Sequence, residues 1–273
     1  MIRPTLLALA VLVGHLAVAQ DSKVTVPLST PGQPATLKVH LVNGSINVTA
    51  GGAGQIVIDS EAGSRGNRRA EREDRNAPVG MHRIDVGARG FTAVEDHNVV
   101  TVSPEMGGIE GMTLNIQVPV NSSVELKSVN GGHIDVTGIN GELNVENVNG
   151  AITLKNVSGS VLANTVNGEM TVGLDRVTPN KPMSFTTLNG KVDVTLPADT
   201  KANLRLKTMH GAVYSDFDVK MEPDNSKPTV EDARGQGGKY RIIMDRTVTG
   251  SINGGGPEFS FRTMNGTILI HKK

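Results

Sequence analysis

The chain contains no cysteine and no tryptophan, and its 273 residues include only two tyrosines and five phenylalanines. The missing thiols exclude disulfides, thiolate metal sites and a lipid-bearing cysteine behind a leader. Aromatic residues make up 3% of the chain, which leaves few flat rings for stacking on sugars or bases. Neither sign of charge dominates, with 27 basic residues against 27 acidic ones. The chain as a whole therefore feels no general pull toward nucleic acid or an anionic membrane. Long apolar runs are absent as well, with one exception at the N-terminus.

That exception is LLALAVLVGHLAVA, Leu6 to Ala19, which follows Arg3. It ends in Ala17-Val18-Ala19, the small-x-small pattern of a cleaved leader. The run is too short to span a bilayer comfortably. Residues 1–19 are thus expected to be a signal peptide and residues 20–273 a single exported domain, periplasmic, on the outer surface or extracellular. Without disulfides, such a domain must be held by its own core.

What the sequence does have is glycine, 32 residues of it, and a phrase that recurs. ENVNGAITLKNVSGSVLANTVNG, Glu146 to Gly168, says nearly one thing three times at nine-residue intervals. The same X-Gly step occurs at Asn43-Gly44, Asn130-Gly131, Asn140-Gly141, Asn149-Gly150, Ser158-Gly159, Asn167-Gly168, Asn189-Gly190, His210-Gly211 and Asn265-Gly266. The residue ahead of each is apolar, from Val42 and Val129 to Met209 and Met264. Apolar residues return three and five positions past the asparagine, as in Ile46/Val48, Ile152/Leu154 and Ile268/Ile270. One extra glycine, Gly132, shifts this to Ile134/Val136. Alternation with period two makes these segments strands with one buried face.

Asn-Gly between alternating runs normally marks a two-residue hairpin. Hairpins would reverse the chain, whereas here the phrase recurs in one orientation. A fixed period of this kind predicts a parallel β-solenoid, or β-helix, that turns a corner at each Asn-Gly. From Asn130 to Asn149 is 19 residues, to Asn167 another 18, to Asn189 another 22 and to His210 another 21. One coil is therefore about 18–22 residues, two strands and two corners. Asn140 and Ser158 fall on the opposite corner, which Pro119-Val120-Asn121 and Pro197-Ala198-Asp199 form in other coils. Two polar stretches of mixed charge, about 61–98 and 218–239, interrupt the pattern and are expected as loop insertions. TGSINGGGPEFSFRTMNGTILIHK then resumes it and is expected to end the stack, with Lys272 and Lys273 guarding the open edge.

The run LNIQVPVNSSVELKSVNGGHIDVTGINGELNVENVNGAITLKNVSG, with GSINGGGPEFSFRTMNGTILI near the end, resembles a widespread family of bacterial exported proteins. That family is called "putative adhesin", a domain of unknown function in the β-helix class. The likeness covers about residues 36–270. It implies the β-helix fold and an envelope location, and it brings no catalytic residues.

Asn130, Asn149, Asn167 and Asn189 should share one edge, each ~4.8 Å from the next, and form an amide ladder. Asn43, Asn140 and Asn265 complete the set of structural corner residues; the alternative for the column is a polar groove for a glycan or ion. The corners lack the following Asp of calcium-binding repeats. Asp135 and Asp193 point outward three coils apart, ~14 Å by strand spacing, beyond the ~5–9.5 Å of a glycosidase pair. Glu169 and Asp193 lie ~8 Å apart by the same geometry, but Lys191 beside Glu169 predicts a surface ion pair there. His40, His82, His97, His133, His210 and His271 show no metal-binding spacing. Arg65, Arg68, Arg69, Arg72 and Arg75 could touch anionic polymers, but Glu71, Glu73 and Asp74 dilute them into a solvated loop. No Gly-x-Ser-x-Gly, Walker loop or His-Glu-x-x-His is present.

The resulting expectation is a non-enzymatic exported envelope protein, without cofactor, metal or catalytic residue, acting in adhesion or as a surface scaffold. Its expected partners are envelope polysaccharide or a surface protein, not nucleic acid, with no integral membrane segment once the leader is cleaved. The alternatives are a self-assembling solenoid that stacks through open strand edges and a polysaccharide-cleaving β-helix enzyme using Glu169 and Asp193.

Overall fold

The computed structural model describes residues 23–52, 54–62, 90–104, 111–222, 229–232, 240–243 and 247–273. Among them there is no helix; 21 strands carry the fold, and most pair in parallel. The expected leader, the arginine cluster and His82 lie outside the described residues.

β1 (Lys23–Pro27) precedes β2 (Ala35–Ala50), which shows the building unit. In β2 alternate residues are buried up to Leu41, the step Val42-Asn43-Gly44 shifts the phase, and alternation resumes at Ile46. Gly44 takes the shift at φ 136°, a value side chains resist. The two halves of β2 then lie in two different walls and pair with different strands. Later repeats copy this plan. β7 (Ser122–Asn130) continues into β8 (Ile134–Thr137). β9 (Asn140–Asn149) continues into the first half of β10 (Ile152–Asn167), and the second half of β10 into β11 (Met170–Val177). β12 (Met183–Asn189) continues into β13 (Val192–Leu196). Asn130 sits opposite Asn149, Asn149 opposite Asn167, and Asn167 opposite Asn189, all in parallel register.

Because every rung is in step, inward residues stack in columns. In the first wall one column runs from Leu37 through Val124 and Leu143 to Val161; a second holds Leu126, Val145, Ala163 and Phe185. In the second wall Ile46, Ile134, Ile152 and Met170 stack in the same way. All are buried, and each such side chain contributes roughly 1.5–3 kcal/mol of burial free energy.

The spatial order of rungs departs from the order in sequence at both ends. β5 (Val99–Pro104) and β6 (Met112–Val118) follow β2 in the chain but pair on its far side, away from β7 and β8. At the other end, β14 (Ala202–Lys207) and β15 (Val213–Ser215) do not touch β12 and β13. The C-terminal pair β20 (Glu258–Arg262) and β21 (Ile268–Lys272) lies between them. The expectation that the HKK tail ends the stack is therefore overturned. β21 is paired on both sides, and Lys273 is tied by its N–H to the Leu196 carbonyl and by its Nζ to Asp175 at 2.6 Å. The reason is core filling. Phe259 and Phe261 are wholly buried, and Phe261 stacks on Phe185 with ring centroids 5.0 Å apart.

Both expected insertions contribute strands. β3 (Gln55–Ala62) pairs antiparallel with β1 on one side and β6 on the other. β4 (Phe91–Asp96), inside the first interruption, runs antiparallel on β5 and closes that edge. Phe91 and Ala93 pack partly against the core, which explains why this part of the stretch is not loop. In the second interruption lies β16 (Lys220–Met221), which pairs antiparallel with β19 (Val248–Ile252); β19, where the repeat was expected to resume, instead runs antiparallel along the outer edge of β14. β17 (Thr229–Asp232) and β18 (Tyr240–Ile243) form a separate hairpin.

Candidate functional site: the Asn-Gly corner

Period-two alternation brings three different columns to the corner where the walls meet. The inner column holds the residues two before each corner asparagine or histidine. In five rungs they are Ser128, Asn147, Thr165, Thr187 and Thr263, all buried. Each donates across to the carbonyl of the corner glycine one rung below: Ser128 Oγ to Gly44, Asn147 Nδ2 to Gly132, Thr165 Oγ1 to Gly150, Thr187 Oγ1 to Gly168, and Thr263 Oγ1 to Gly190, at 2.9–3.1 Å. Thr208 repeats the contact with Gly266. These carbonyls would otherwise be buried acceptors without a partner. The glycines themselves are fixed by crowding, since a Cβ on Gly150, Gly168 or Gly266 would lie 1.8–2.0 Å from the glycine carbonyl below.

The asparagines form the second column. Asn167 Nδ2 donates to Asn149 Oδ1 at 2.9 Å, Asn189 to Asn167 at 2.8 Å, and Asn265 to Asn189 at 2.6 Å. Asn149 reaches Asn130 at 3.4 Å, and His210 Nδ1 lies 3.1 Å from Asn265 Oδ1 at the far end. Asn43 is opposite Asn130 in register. Asn140 stands on the opposite corner, donating to Asn121 Oδ1 at 2.8 Å and pairing with Ser158. Most amides of the main column are thus spent on each other rather than aimed at a ligand.

The third column is apolar and faces out. Val42, Val129, Val148, Val166, Leu188, Met264 and Met209 follow one another rung by rung, each next to its corner residue. Met209 is 63% and Val42 57% exposed. At the opposite corner Ile139 and Val157 are buried, while Val120 is exposed. Beside the stripe a groove of about 290 Å³ runs across β12, β20 and β14. Its apolar side is Val166, Leu188, Met264 and Met209; Lys207 and Arg262 stand on the other.

Charged groups gather on the outside of the second wall. Lys191 lies 2.8 Å from Glu169 and 3.1 Å from Asp193. Glu169 first, then Asp193, raise its pKa above the ordinary lysine value. The carboxylates of the candidate glycosidase pair are thereby bridged by a cation. Asp135 and Asp193 share one outward column with Thr153 and Thr171 between them. His271 sits 3.0 Å from Asp216 and 3.6 Å from Asp193; it, and then the Lys272 N–H, hold the Asp216 carboxyl below its usual range. His133 lies 3.5 Å from Asp135 and His40 3.7 Å from Glu125. Among the described residues no three histidine or carboxylate side chains are grouped to hold a metal ion. At the opposite corner a cleft of about 500 Å³ opens between Thr178–Asn180, Pro197–Lys201 and Gly255–Pro257.

The inner hydroxyl column had escaped the sequence reading, although its signal is plain in retrospect. A polar residue stands two before the asparagine in rung after rung, where alternation calls for an apolar one.

The sequence matches the family described as Toastrack DUF4097 over residues 13–246. The chain belongs to that family. The Toastrack match stops short of β20 and β21, the inserted rung. No curated protein matches the sequence. Among solved structures, a putative cell adhesion protein from Clostridium sporogenes is 14% identical with a TM-score of 0.48, covering 93% of this chain and all of its own. A putative adhesin from Bacteroides fragilis is 9% identical with a TM-score of 0.37, covering 92% of this chain and 96% of its own.

Proposed function

We propose that this Toastrack chain is a non-enzymatic, exported β-solenoid of the bacterial envelope that acts in adhesion or as a surface scaffold. The observation that carries the reading is the unbroken stack of parallel rungs, which repeats each outward side-chain position as a column. Such a surface meets extended partners through many weak, evenly spaced contacts. The leader-like N-terminus supports export. The Lys191 bridge between Glu169 and Asp193 argues against an acid–base pair there. The test is cosedimentation of the purified chain from Gln20 to Lys273 with sacculi, outer-membrane vesicles and whole cells across a salt series. Saturable binding to one fraction is expected and names the partner class. Failure to bind any fraction would sink the reading.

One observation favours self-assembly as a second reading. Among the described residues β15 pairs with β21 alone, and its Val213 and Tyr214 are exposed. Such an edge can accept a strand from another copy. A particle size that falls on dilution supports this reading, and a concentration-independent monomer removes it.

A further inference from the structure

We propose that the outward stripe from Val42 to Met209 seats the protein on an anionic lipid surface. The inference stands on the surface alone and needs no external adhesion partner. The core does not require these residues to be apolar, because their side chains point away from it. Serine or threonine would serve the corner equally well, yet seven consecutive rungs carry valine, leucine or methionine. Neighbours in the column cover part of one another, and what remains is a continuous apolar patch, the kind of surface that marks an interaction site.

Geometry and charge select the occupant. Seven rungs at strand spacing make a ridge ~29 Å long. It lies along the outer corner of two walls, so it can press on a plane over its whole length, whereas the groove that could receive a peptide is confined to its Val166–Met209 end. Basic side chains flank both ends, but Lys127 at the valine end is tied to Glu125 and Glu146, which leaves Arg262 and Lys207 at the methionine end as the candidates. Arg262 is exposed, stands two residues from Met264, and has no carboxylate partner among the described residues. Lys207 lines the same groove, and Arg205, next along β14, faces Glu258 at 3.8 Å. Apolar side chains entering the acyl boundary beside cations at phosphate level are the arrangement of an interfacial membrane contact. A second copy fits less well: two-fold pairing of stripes in opposite directions brings Arg262 toward Lys127 and Lys207 toward His40.

The test uses the chain from Gln20 to Lys273, because the leader's own apolar run would bind vesicles. Sedimentation with phosphatidylcholine vesicles containing phosphatidylglycerol is compared with phosphatidylcholine alone, with folding of each variant checked by circular dichroism. Wild type should bind the anionic vesicles and release with salt. Leu188→Ser with Met264→Ser and Met209→Ser should weaken binding at least ~10-fold, a lower bound because each side chain is already partly covered in the free protein. Arg262→Gln with Lys207→Gln should abolish the preference for anionic lipid. If the triple variant misfolds, Val129→Thr with Val148→Thr, which keeps the β-branch, reads the same loss. No binding by wild type overturns the proposal, and so does unchanged binding by the stripe variants. A lipid-free dimer that the triple variant breaks would assign the stripe to a second copy and also overturn it. Stripe variants that still bind sacculi or cells would leave the adhesion reading standing while this one is judged on vesicles alone.

Discussion

At Asn147 the corner departs from its own rule. Most other rungs put a hydroxyl in the inner column, and there the side chain donates to a glycine carbonyl with nothing left over. Asn147 also donates to Gly132, but its Oδ1 is buried without a partner. An orphaned acceptor costs ~1–3 kcal/mol, while a threonine hydroxyl bond to Gly132 would only replace the amide bond it removes, each ~1 kcal/mol. Asn147→Thr should therefore stabilise the chain by ~1 kcal/mol, seen as a higher urea midpoint at constant m-value; a lower midpoint would show that the amide has a partner in solution. Glu95 is a second residue whose surroundings fix its behaviour. The Ser29 N–H first, then the Asn98 N–H and the Ser29 hydroxyl, hold its carboxyl below the ordinary 4.5. A folded pKa below the unfolded one means stability that is complete above the ordinary value and is lost as pH falls through the lowered one. Glu95→Gln should flatten that acid limb, measured as thermal midpoint against pH, while an unchanged limb would assign the acid sensitivity to other carboxylates such as Asp216. These examples also show what the sequence discloses at this scale. The corner asparagines and glycines were legible because turn chemistry demands them. The buried hydroxyls are not legible in that way, because alternation predicts apolar residues at Thr165 and Thr187.

Among the elements, the inserted pair β20–β21 matters most for integrity. It presents Phe259 and Phe261 to the core and, among the described residues, supplies the only parallel partner that β14 and β15 have. Ending the chain at Gly256 should leave β12 and β14 facing a gap, expose Phe185 and destroy cooperative unfolding of the C-terminal rungs. Limited proteolysis would then cut within residues 202–215. A protected 202–215 would mean that β14 can close directly on β12. By contrast, Lys272→Glu with Lys273→Glu should change stability by less than ~1 kcal/mol, as expected for exposed ion pairs, and leave the oligomeric state as it was. The lysines cannot guard an edge they do not occupy. Strand existence and inward phase were readable here, from Ile152/Leu154 to Ile268/Ile270. Exposure of the residue before the corner was not. Val129 and Val157 both precede a polar-Gly step, yet one is outside and the other inside, because Asn156 ahead of Val157 takes a left-handed φ of 52° and changes the phase there.

For the whole molecule, the readable and unreadable parts divide by range. Repeat spacing from Asn130 to Asn189 fixes which neighbours pair, since adjacent rungs are adjacent in sequence. Spacing cannot say where rungs separated by long excursions join, because the 55 residues from His210 to Asn265 allow either order. Packing decides it, through Phe261 stacking on Phe185. This order has a dynamic consequence. In a stack, each rung is stabilised by its immediate neighbours, so opening should spread by spatial contact and not by chain order. Phe261→Ala leaves a cavity worth ~3–5 kcal/mol, between β12 on one side and β14 on the other. Native-state hydrogen exchange should then quicken together in 183–196, 202–215 and 258–272, and stay slow in β7 and β9. Leu204→Ala, ~2–5 kcal/mol by the same reckoning, sits one rung further out. It should loosen 202–215 and 258–262 while leaving β12 nearly as protected as before. Faster exchange in β12 without any change in β20 would mean that β12 and β14 are neighbours after all, and the inserted order of rungs would have to be abandoned.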